Sequence, residues 1–453
     1  MTESARNSVR LWARALEEEG TEAEILADAM RGHPFADSHG WMPGRPLLVD
    51  QACTQALAAD IEELLRLIRE ETLRRCSGSA EQLAALAGFD HRSSSPHTPG
   101  IERWTDSARA DVVPSADGWQ VCEINVDSTL GGAGAMAAAV AAHLGGPAAA
   151  RVRAHGLQLS APDYYAQKAE VLRAWSPLSL DSSPRTAVIG ITQPGEPYPD
   201  AVFDDEVRML RKYGLPTHRV DPRDVSIRDG RLGDSQGNEF DLAVRYYIPR
   251  VAERLGAEAA HLLRIEVAEH TVVFVPRTAF GYASKRGLAW LWETAAEGHP
   301  EYEVVRRRVP YTVVVDDRHV VLPEGNRAYL PVHLERNQKD YVLKPAFEMG
   351  GRGVLLGQET SEEVWRQVIA DSLSGACPMV AQRFVVPRVL DMPVVRAGRV
   401  RVRPVHAVVS PFLLGGSYAG SFCRLAPASR PPVINWEEDL MCTALVTANH
   451  NAG

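Results

Sequence analysis

The chain has 453 residues, enough for two or three domains with a full hydrophobic core. Its composition, 45% hydrophobic and 24% charged, is that of a typical globular protein. The formal charge of −9, with no block of lysines and arginines, argues against a nucleic-acid-binding protein.

The sequence also predicts where the protein works. The first residues, "MTESARNSVRLWARALEEEG", lack the apolar core of a signal peptide, and no segment is long enough to span a membrane. The six cysteines show neither CxxC nor Cys/His ligand spacing, which indicates reduced thiols. We therefore expect a cytoplasmic protein with no membrane or nucleic-acid partner. The sequence is compatible with an oligomer as well as a monomer.

Hydrophobic periodicity divides the chain into four predicted regions. Residues 1–100 form a helical N-terminal region, since apolar residues share one helix face; these are Leu57, Ile61, Leu64, Leu65 and Ile68. Residues 101–184 hold a β-hairpin and a helix over "GGAGAMAAAVAAHLGG". In residues 185–277, strands at "TAVIGIT", "LPTHRV" and "DLAVRYYI" alternate with a helix, which predicts a small α/β domain with a parallel sheet. Residues 278–453 mix further strands and helices.

The hairpin "RADVVPSADGWQVCEIN" carries a regular set of polar residues. "ADVVP" and "WQVCEIN" are predicted as antiparallel strands joined through the Asp-Gly of "SADG". In the register where the residue numbers of paired positions add up to 234, Asp111 lies opposite Glu123 and Arg109 lies opposite Asn125. All four side chains then share one face. Two carboxylates and an amide oxygen suit Mg²⁺, and Arg109 would stabilise a phosphoryl group nearby. The alternative is a solvated hairpin with alternating polar positions.

A lysine and a glycine loop follow in "YVLKPAFEMGGRGVLLG". Lys344 is predicted at the end of a strand, with Gly350, Gly351 and Gly353 shortly after it. Glycines let backbone N–H groups approach phosphate oxygens, and the lysine adds a positive charge. The alternative is an ordinary glycine-rich turn.

Two further segments have an open interpretation. Lys285, in "ASKRGLAWLWE", begins a predicted helix and is either a phosphate ligand or a solvated residue at the helix start. "AQRFVVP" is predicted as a strand that leads into a loop. Its backbone would offer adenine a donor and an acceptor, although an edge strand explains the pattern equally well.

Together these segments resemble the ATP-grasp superfamily, and most closely its circularly permuted, glutathionylspermidine synthase-like branch. "CEINVDSTLGG" is similar to the Glu-x-Asn-x-Asp motif of that branch, preceded by Arg109-Ala110-Asp111. "ASKRGLAWLWE" with the later His-Pro pair, "LKPAFEMGGRGV", "QRFVVP" and "SPFLLGGSYAGSFCRL" followed by "VIN" are similar to its other motifs, in the same order.

The resemblance implies an α/β (α+β) ATP-grasp fold, circularly permuted, with residues 185–277 as the pre-ATP-grasp domain and residues 278–453 as the nucleotide-binding domain. It also implies roles for individual residues. Asp111, Glu123 and Asn125 would be ligands of Mg²⁺, with two ions expected, and Arg109 would contact the transferring phosphate. ATP would be bound through Lys285, Lys344, Gly350, Gly351 and the adenine hinge formed by Gln382, Arg383, Phe384 and Val385. Arg424 would lie near the phosphate or the substrate carboxylate, and a structural salt bridge is the alternative.

The chain also departs from that branch. No amidase Cys/His pair precedes the synthetase motifs, and "DDRHVVLPEGNRAYLPVHLERNQKD" has the character of an insertion. Glutathione and a polyamine are therefore not predicted as its substrates. The arginines of "VVRAGRVRVRPVHAVV" either bind an acidic substrate or form the solvated face of a hairpin; they are Arg396, Arg399, Arg401 and Arg403.

The predicted activity is therefore ATP-dependent ligation of a small-molecule or peptide carboxylate to an amine through an acyl phosphate. No nucleophilic side chain is required, consistent with the lack of a Ser-His-Asp or Cys-His arrangement. The alternatives are an ATP-grasp kinase that stops at a phosphorylated product and a catalytically silent nucleotide-binding partner. A Rossmann dehydrogenase is disfavoured, because "QPGEP" and not GxGxxG follows the strand at Thr186.

Overall fold

A computed structural model describes residues 42–450 with several gaps. The gaps are residues 78, 80–81, 84–105, 129, 155, 177–182, 192–200, 248–251, 254, 267, 276, 349–350, 397–398 and 431–439. The helix content predicted for the first 41 residues, Gly350 and the "VIN" segment therefore lie outside the described residues.

The strands of the described chain run in this order: β1 Met42–Pro43, β2 Leu47–Val49, β3 Ser107–Ser115, β4 Gly118–Val126, β5 Leu157–Ser160, β6 Thr186–Gly190, β7 Thr217–Val220, β8 Ser226–Arg228, β9 Arg231–Gly233, β10 Glu239–Phe240, β11 Leu242–Tyr246, β12 Val272–Phe274, β13 Thr312–Val314, β14 His319–Val321, β15 Arg327–Tyr329, β16 Tyr341–Pro345, β17 Leu355–Leu356, β18 Met379–Arg383, β19 Leu390–Arg396, β20 Arg399–Leu414, β21 Ser417–Pro427 and β22 Met441–His450.

The α-helices are α1 Gln51–Cys76, α2 Ala133–Gly145, α3 Pro147–Ala154, α4 Tyr164–Trp175, α5 Ala201–Lys212, α6 Ala259–Glu266, α7 Arg286–Ala296, α8 Glu303–Arg308, α9 Leu330–Arg336 and α10 Glu362–Leu373. Short 3₁₀ helices span Arg277–Ala283, Pro300–Tyr302 and Gln338–Asp340. Among the described helices, none is by itself long and apolar enough to cross a membrane; α2 and α3 pass that test only as a pair bent by 57°.

Nine of the described strands form one large sheet that includes the predicted hairpin. Its main path is β1-β19-β20-β21-β22-β2, and β3 pairs with both β20 and β4. The hairpin folds as predicted because its residues alternate: Ala108, Ala110 and Val112 are fully buried, while the polar positions between them point the other way. The apolar face packs into the main hydrophobic core. The polar face is thereby fixed on a rigid sheet.

A second sheet is small, parallel and buried on both faces, as predicted for the α/β region. Its order is β12-β11-β6-β7, and each pair is parallel. Val188 and Val244 face the main core, whereas Ile189 and Ala243 face a separate core. Continuous apolar strands are typical of parallel sheets covered on both sides.

A third sheet contains the predicted lysine and adenine-hinge strands. Its order is β13-β18-β16-β17, all antiparallel. Trp365 of α10 is fully buried beneath it, and its Nε1 donates to the Leu334 carbonyl of α9 at 3.0 Å. The segment that has the character of an insertion supplies α9 and the β14–β15 hairpin, so it belongs to the core of this unit.

Helix α1 follows the first two described strands and packs against α7 and α8. Asp50 caps it by accepting from the Cys53 amide at 2.7 Å, and the predicted apolar face is buried. Asp60 on its outer side accepts from Arg307 and Arg308 at 2.6 Å each. These contacts fix α8 against α1.

Strand pairing groups the chain differently from its order in sequence. The last region, residues 278–453, contributes the whole third sheet and also β19–β22 of the large sheet, where β20 pairs directly with β3 of the hairpin. Antiparallel pairing between segments so far apart in sequence leaves no local signal, so the sequence pattern did not indicate it. The predicted boundaries between the four regions remain predictions.

Candidate active site

The predicted hairpin pairing is confirmed. Asp111 pairs with Glu123 and Arg109 pairs with Asn125. A β-bulge then shifts the pairing, so that Val112 lies opposite Val121 and Cys122 is the extra residue. The four polar side chains therefore lie on one face, and the bulge immediately follows the two carboxylates.

Asp111 lies at the centre of a charged cluster on this face. Its Oδ2 is 2.7 Å from Arg424 of β21, and its Oδ1 is 3.4 Å from Nε of Arg109. Its Oδ1 also accepts from the Ser410 hydroxyl of β20 at 2.8 Å. The side chains of Asp111, Arg109 and Arg424 are only 16%, 13% and 11% exposed, so the interpretation as a solvated hairpin is wrong.

The two arginines determine the charge of Asp111. Burial alone would raise the pKa of this carboxyl, but the positive charges of Arg424 and Arg109 and the Ser410 hydrogen bond outweigh it and hold the pKa well below its usual range. Asp111 is therefore ionised at any physiological pH. An ionised carboxylate is a suitable ligand for a divalent cation.

Glu123 connects the hairpin to Lys285. Lys285 Nζ lies 3.2 Å from Glu123 Oε1 and donates to the Glu348 carbonyl of the glycine loop at 2.6 Å. The Lys285 amide donates to the Ala346 carbonyl at 3.1 Å. Lys285 is the N-cap residue of α7 and its side chain is 7% exposed, so the interpretation as a solvated helix start is wrong.

Lys344 approaches the same hairpin from the third sheet. Its Nζ donates to the Cys122 carbonyl at 3.2 Å, at the bulge, and to Gln382 Oε1 at 2.6 Å. The two predicted lysines thus flank Glu123, one from α7 and one from β16. The structure brings together residues that are more than two hundred positions apart in sequence.

The glycine loop connects β16 to β17. Gly351 and Gly353 adopt φ values of +73° and +70°, where glycine is strongly favoured. A Cβ on Gly353 would lie 2.9 Å from Cγ of Pro345, so the chain also needs the space. The loop is therefore a specific backbone turn beside Lys285. Its contact with phosphate remains a prediction.

The predicted adenine hinge begins in a central strand. β18 pairs with both β13 and β16, so the edge-strand interpretation is wrong. Gln382 is buried and its Nε2 donates to Thr312 Oγ1 at 3.0 Å. The Arg383 amide donates to the Tyr311 carbonyl and the Phe384 amide to the Asp340 carbonyl, at 2.7 and 2.8 Å. Val385 follows and is half-buried. These amides stabilise the hinge, and adenine binding there remains a prediction.

Ser410 was not among the predicted site residues. This serine is fully buried in β20, where its hydroxyl donates to Asp111 and lies 3.5 Å from Arg424 NH2. Although Ser410 opens the segment "SPFLLGGSYAGSFCRL", nothing in that segment indicates a contact with Asp111, so only the pairing of β20 with β3 reveals its place. Of the arginines considered for an acidic substrate, Arg401 is exposed and Arg403 half-buried on β20, away from these contacts.

The donor set fits Mg²⁺ in its chemistry. Among the described residues, no group of three or more His, Cys, Asp and Glu side chains is close enough to hold a metal ion. Mg²⁺, however, commonly takes one or two carboxylates and fills its remaining positions with water and substrate phosphates. Asp111 and Glu123 lie on paired strands, with Asn125 on the same face. The two carboxylates form ion pairs with cations, Asp111 with Arg424 and Arg109, and Glu123 with Lys285. The face thus attracts positive charge.

Comparison with known proteins supports the fold. A glutathione synthetase-like effector, GSS30, from Globodera pallida in its apo form superposes with a TM-score of 0.55 and 12% identity, covering 96% of this chain and 95% of that chain. A protein named as a candidate gamma-glutamylcysteine synthetase, from Methylobacillus flagellatus, superposes with a TM-score of 0.40 and 12% identity over 86% of each chain. No family model and no curated protein matches the sequence. The chain thus has a fold similar to that of the GSS30 effector.

Proposed function

We propose that the protein is an ATP-dependent carboxylate–amine ligase that forms an amide or peptide bond and releases ADP and phosphate. The observation that supports this most is the convergence of Lys285, Lys344 and Arg424 on the acidic face of the hairpin. Lysine and arginine side chains that face carboxylates beside a glycine loop are suited to bind a nucleoside triphosphate with its divalent metal. The similarity in fold to a glutathione synthetase-like effector is consistent with this chemistry.

Residue roles follow from position in this proposal. Asp111, Glu123 and Asn125 would hold Mg²⁺, which when bound neutralises phosphate charge. Lys285, Lys344 and the Gly351 turn would bind the phosphates, because they lie together beside Glu123. Gln382 and the three residues after it would contact adenine. Arg109 and Arg424 would stabilise the negative charge of the transferring phosphoryl group, which water would stabilise in solution.

The reaction needs positioning more than it needs a reactive side chain. The substrate carboxylate oxygen bonds to the γ-phosphorus of ATP as the bond to the ADP oxygen breaks. The amine nitrogen then bonds to the acyl carbon, phosphate leaves, and the nitrogen gives up a proton. A rigid sheet that fixes Arg109 and Arg424 supports both steps, since preorganised charge lowers the barrier without reorganisation.

The finer assignment is to the circularly permuted, glutathionylspermidine synthase-like branch. The order of the elements supports it: the acidic hairpin β3–β4 precedes the sheet that carries Lys344. We propose amino acids or peptides as substrates, including those of secondary metabolism.

An ADP-release screen tests the function. The protein is incubated with ATP, Mg²⁺ and pairs of amino acids or peptides, and products are identified by mass spectrometry. A ligase gives amine-dependent ADP release and an amide product. ADP release with a phosphorylated product and no amine dependence would identify a kinase, and no ADP release with any pair would indicate a catalytically silent nucleotide-binding protein.

A further inference from the structure

Asp127 is the second acidic residue of "EINVD", and we propose that it positions the hairpin instead of binding metal. It does so through a buried ion pair with Arg245, which ties the acidic hairpin to the parallel sheet. The role assigned to the hairpin rests on the proposed function, whereas the ion pair itself does not.

The geometry separates Asp127 from the metal-binding face. Side-chain alternation alone would place Asp127 beside Glu123 and Asn125. β4, however, ends at Val126, and the Asp127 amide makes a closing hydrogen bond to the Ser107 carbonyl at 3.2 Å. Beyond that bond the chain leaves the strand, and the carboxylate turns to Arg245.

Several hydrogen bonds form this connection. Asp127 Oδ1 accepts from Arg245 NH2 at 2.6 Å and from the Ser128 amide at 2.7 Å. The Ser128 hydroxyl donates to the Arg245 carbonyl at 2.7 Å. Arg245 NH1 donates to the Tyr247 carbonyl at 3.2 Å. Asp127 is 4% exposed and Arg245 is fully buried, so the pair lies in the protein interior.

The pair lies near the end of the parallel sheet at which such sheets commonly bind ligands. Arg245 lies near the carboxyl end of β11, which neighbours β6. The chain places β7 on one side of β6 and places β11 and β12 on the other, so β6 and β11 flank the point where the strand order switches. Ligands of open parallel sheets bind outside the carboxyl ends of the strands at such a point. The Asp127–Arg245 pair therefore joins the acidic hairpin to the end of the sheet where a substrate is expected.

Energetics favour a positioning role over a purely stabilising one. Desolvation of two charges consumes most of their attraction, so a buried ion pair often adds little stability over apolar residues of the same volume. Removal of one partner is costly, since it leaves an uncompensated charge. The pair therefore acts chiefly by permitting a single arrangement of hairpin and sheet.

A mutant cycle on the full chain tests this role. The variants are Asp127→Asn, Arg245→Met and the double mutant, with Arg245→Lys as the conservative variant. Two readouts are used: the thermal unfolding midpoint, and Mn²⁺ binding followed by electron paramagnetic resonance with a non-hydrolysable ATP analogue. Asp205→Asn and Arg208→Met, which break an exposed pair of 2.9 Å on α5, are the matched control.

We expect each single variant to lower the midpoint by several degrees and to weaken Mn²⁺ binding about tenfold. The double mutant should lose no more than either single variant, Arg245→Lys should retain most of the binding, and the control pair should match wild type. A metal-ligand role predicts instead that Arg245→Met binds Mn²⁺ normally, since a guanidinium is not a ligand; that result, or additive losses, would overturn the proposal. If the wild-type protein binds no Mn²⁺, the proposed function fails, and the unfolding midpoints alone decide whether the pair couples hairpin and sheet.

Discussion

Asp111 and Glu123 are paired carboxylates that face different cations. Asp111 contacts Arg424 and Arg109 from its own sheet, while Glu123 contacts Lys285 from another element. Because the arginines keep Asp111 ionised, its oxygens are available as donors without a proton to displace. The Lys285 contact places the hairpin directly beside the glycine loop. At this scale, the site is a set of charges held within hydrogen-bonding distance.

Isosteric removal of either carboxylate tests the metal role. We expect Asp111→Asn and Glu123→Gln each to lower ADP formation about 100-fold or more, because each change removes one of the two negative charges that would hold the Mg²⁺ ion. ADP release is the measurement, with circular dichroism to verify folding. Glu297→Gln, at an exposed position after α7, should behave as wild type. Near-normal turnover by a folded Asp111→Asn would contradict the metal assignment.

Lys344 should contribute to nucleotide affinity. We expect Lys344→Met to weaken binding of a non-hydrolysable ATP analogue roughly 10- to 100-fold, the equivalent of one charged hydrogen bond. Isothermal titration calorimetry measures this constant directly. Lys339→Met, at an exposed position just before β16, is the control and should bind as wild type does. If the two variants bind the ATP analogue with equal affinity, Lys344 does not belong to the phosphate site.

At the scale of elements, the segment after the hairpin depends on close packing. Gly132 precedes α2 with φ of +97°, and a Cβ there would lie 2.4 Å from the ring of the buried Phe422. Arg109 NH1 donates to the adjacent Gly131 carbonyl at 2.8 Å. A glycine is therefore required at this position, where α2 begins against β21.

Gly132→Ala should destabilise the protein by roughly 2–4 kcal/mol, through backbone strain and overpacking together. The unfolding midpoint in urea measures the loss. Gly145→Ala, at the last residue of α2, places its Cβ in open space and should be neutral or slightly stabilising. If the two variants unfold at the same urea concentration, the close approach to Phe422 is not important for stability.

His143 of α2 gives stability a dependence on pH. It is 2% exposed and lies 3.2 Å from Thr443 Oγ1 of β22, and burial, aided by the charge of Arg45, lowers its pKa to about 3. The pKa in the unfolded chain is about 6.5, so the unfolded state binds the proton more readily. Its contribution is complete above pH 6.5 and falls by about 1.4 kcal/mol per unit as pH decreases towards 3.

Urea midpoints at pH 7 and pH 5 test this linkage. Between pH 7 and pH 5, the free energy of unfolding of the wild type should fall by about 2 kcal/mol because of His143. That of His143→Gln should fall by correspondingly less. An unchanged pH dependence in His143→Gln would show that the imidazole does not titrate on unfolding.

At the scale of the whole molecule, the site is assembled from separate sheets. The hairpin belongs to the large sheet and Lys344 to the third sheet, and the contact of Asp127 with Arg245 joins the hairpin to the parallel sheet. Ion pairs also connect the supporting helices, as where Arg75 of α1 meets Glu293 of α7 at 2.8 Å. A ligand that contacts several of these units should stabilise them together.

Nucleotide binding should therefore raise global stability in a metal-dependent manner. At a concentration about 100 times its dissociation constant, a non-hydrolysable ATP analogue with Mg²⁺ should stabilise the folded state by about 2.7 kcal/mol. Thermal unfolding measures the shift, and addition of EDTA should remove most of it. A shift that is unaffected by EDTA would mean that the hairpin carboxylates do not act through a metal.

Local pattern predicted much of the architecture. The strand pairing of Asp111 with Glu123, the apolar face of α1 and the parallel sheet are all confirmed, because side-chain alternation and helical periodicity are local properties. The interpretations of Lys285 as solvated and of β18 as an edge strand failed because burial and strand neighbours depend on distant segments.

The sequence by itself determined the register of the acidic hairpin and the elements that carry its polar residues and Lys344. Only the tertiary structure decided that Ser410 supports Asp111, that Lys344 reaches the bulge at Cys122 and that Asp127 turns away to Arg245. The physical reason is that these contacts join strands and helices far apart in the chain, whose pairing depends on how all the sheets pack and not on any local pattern.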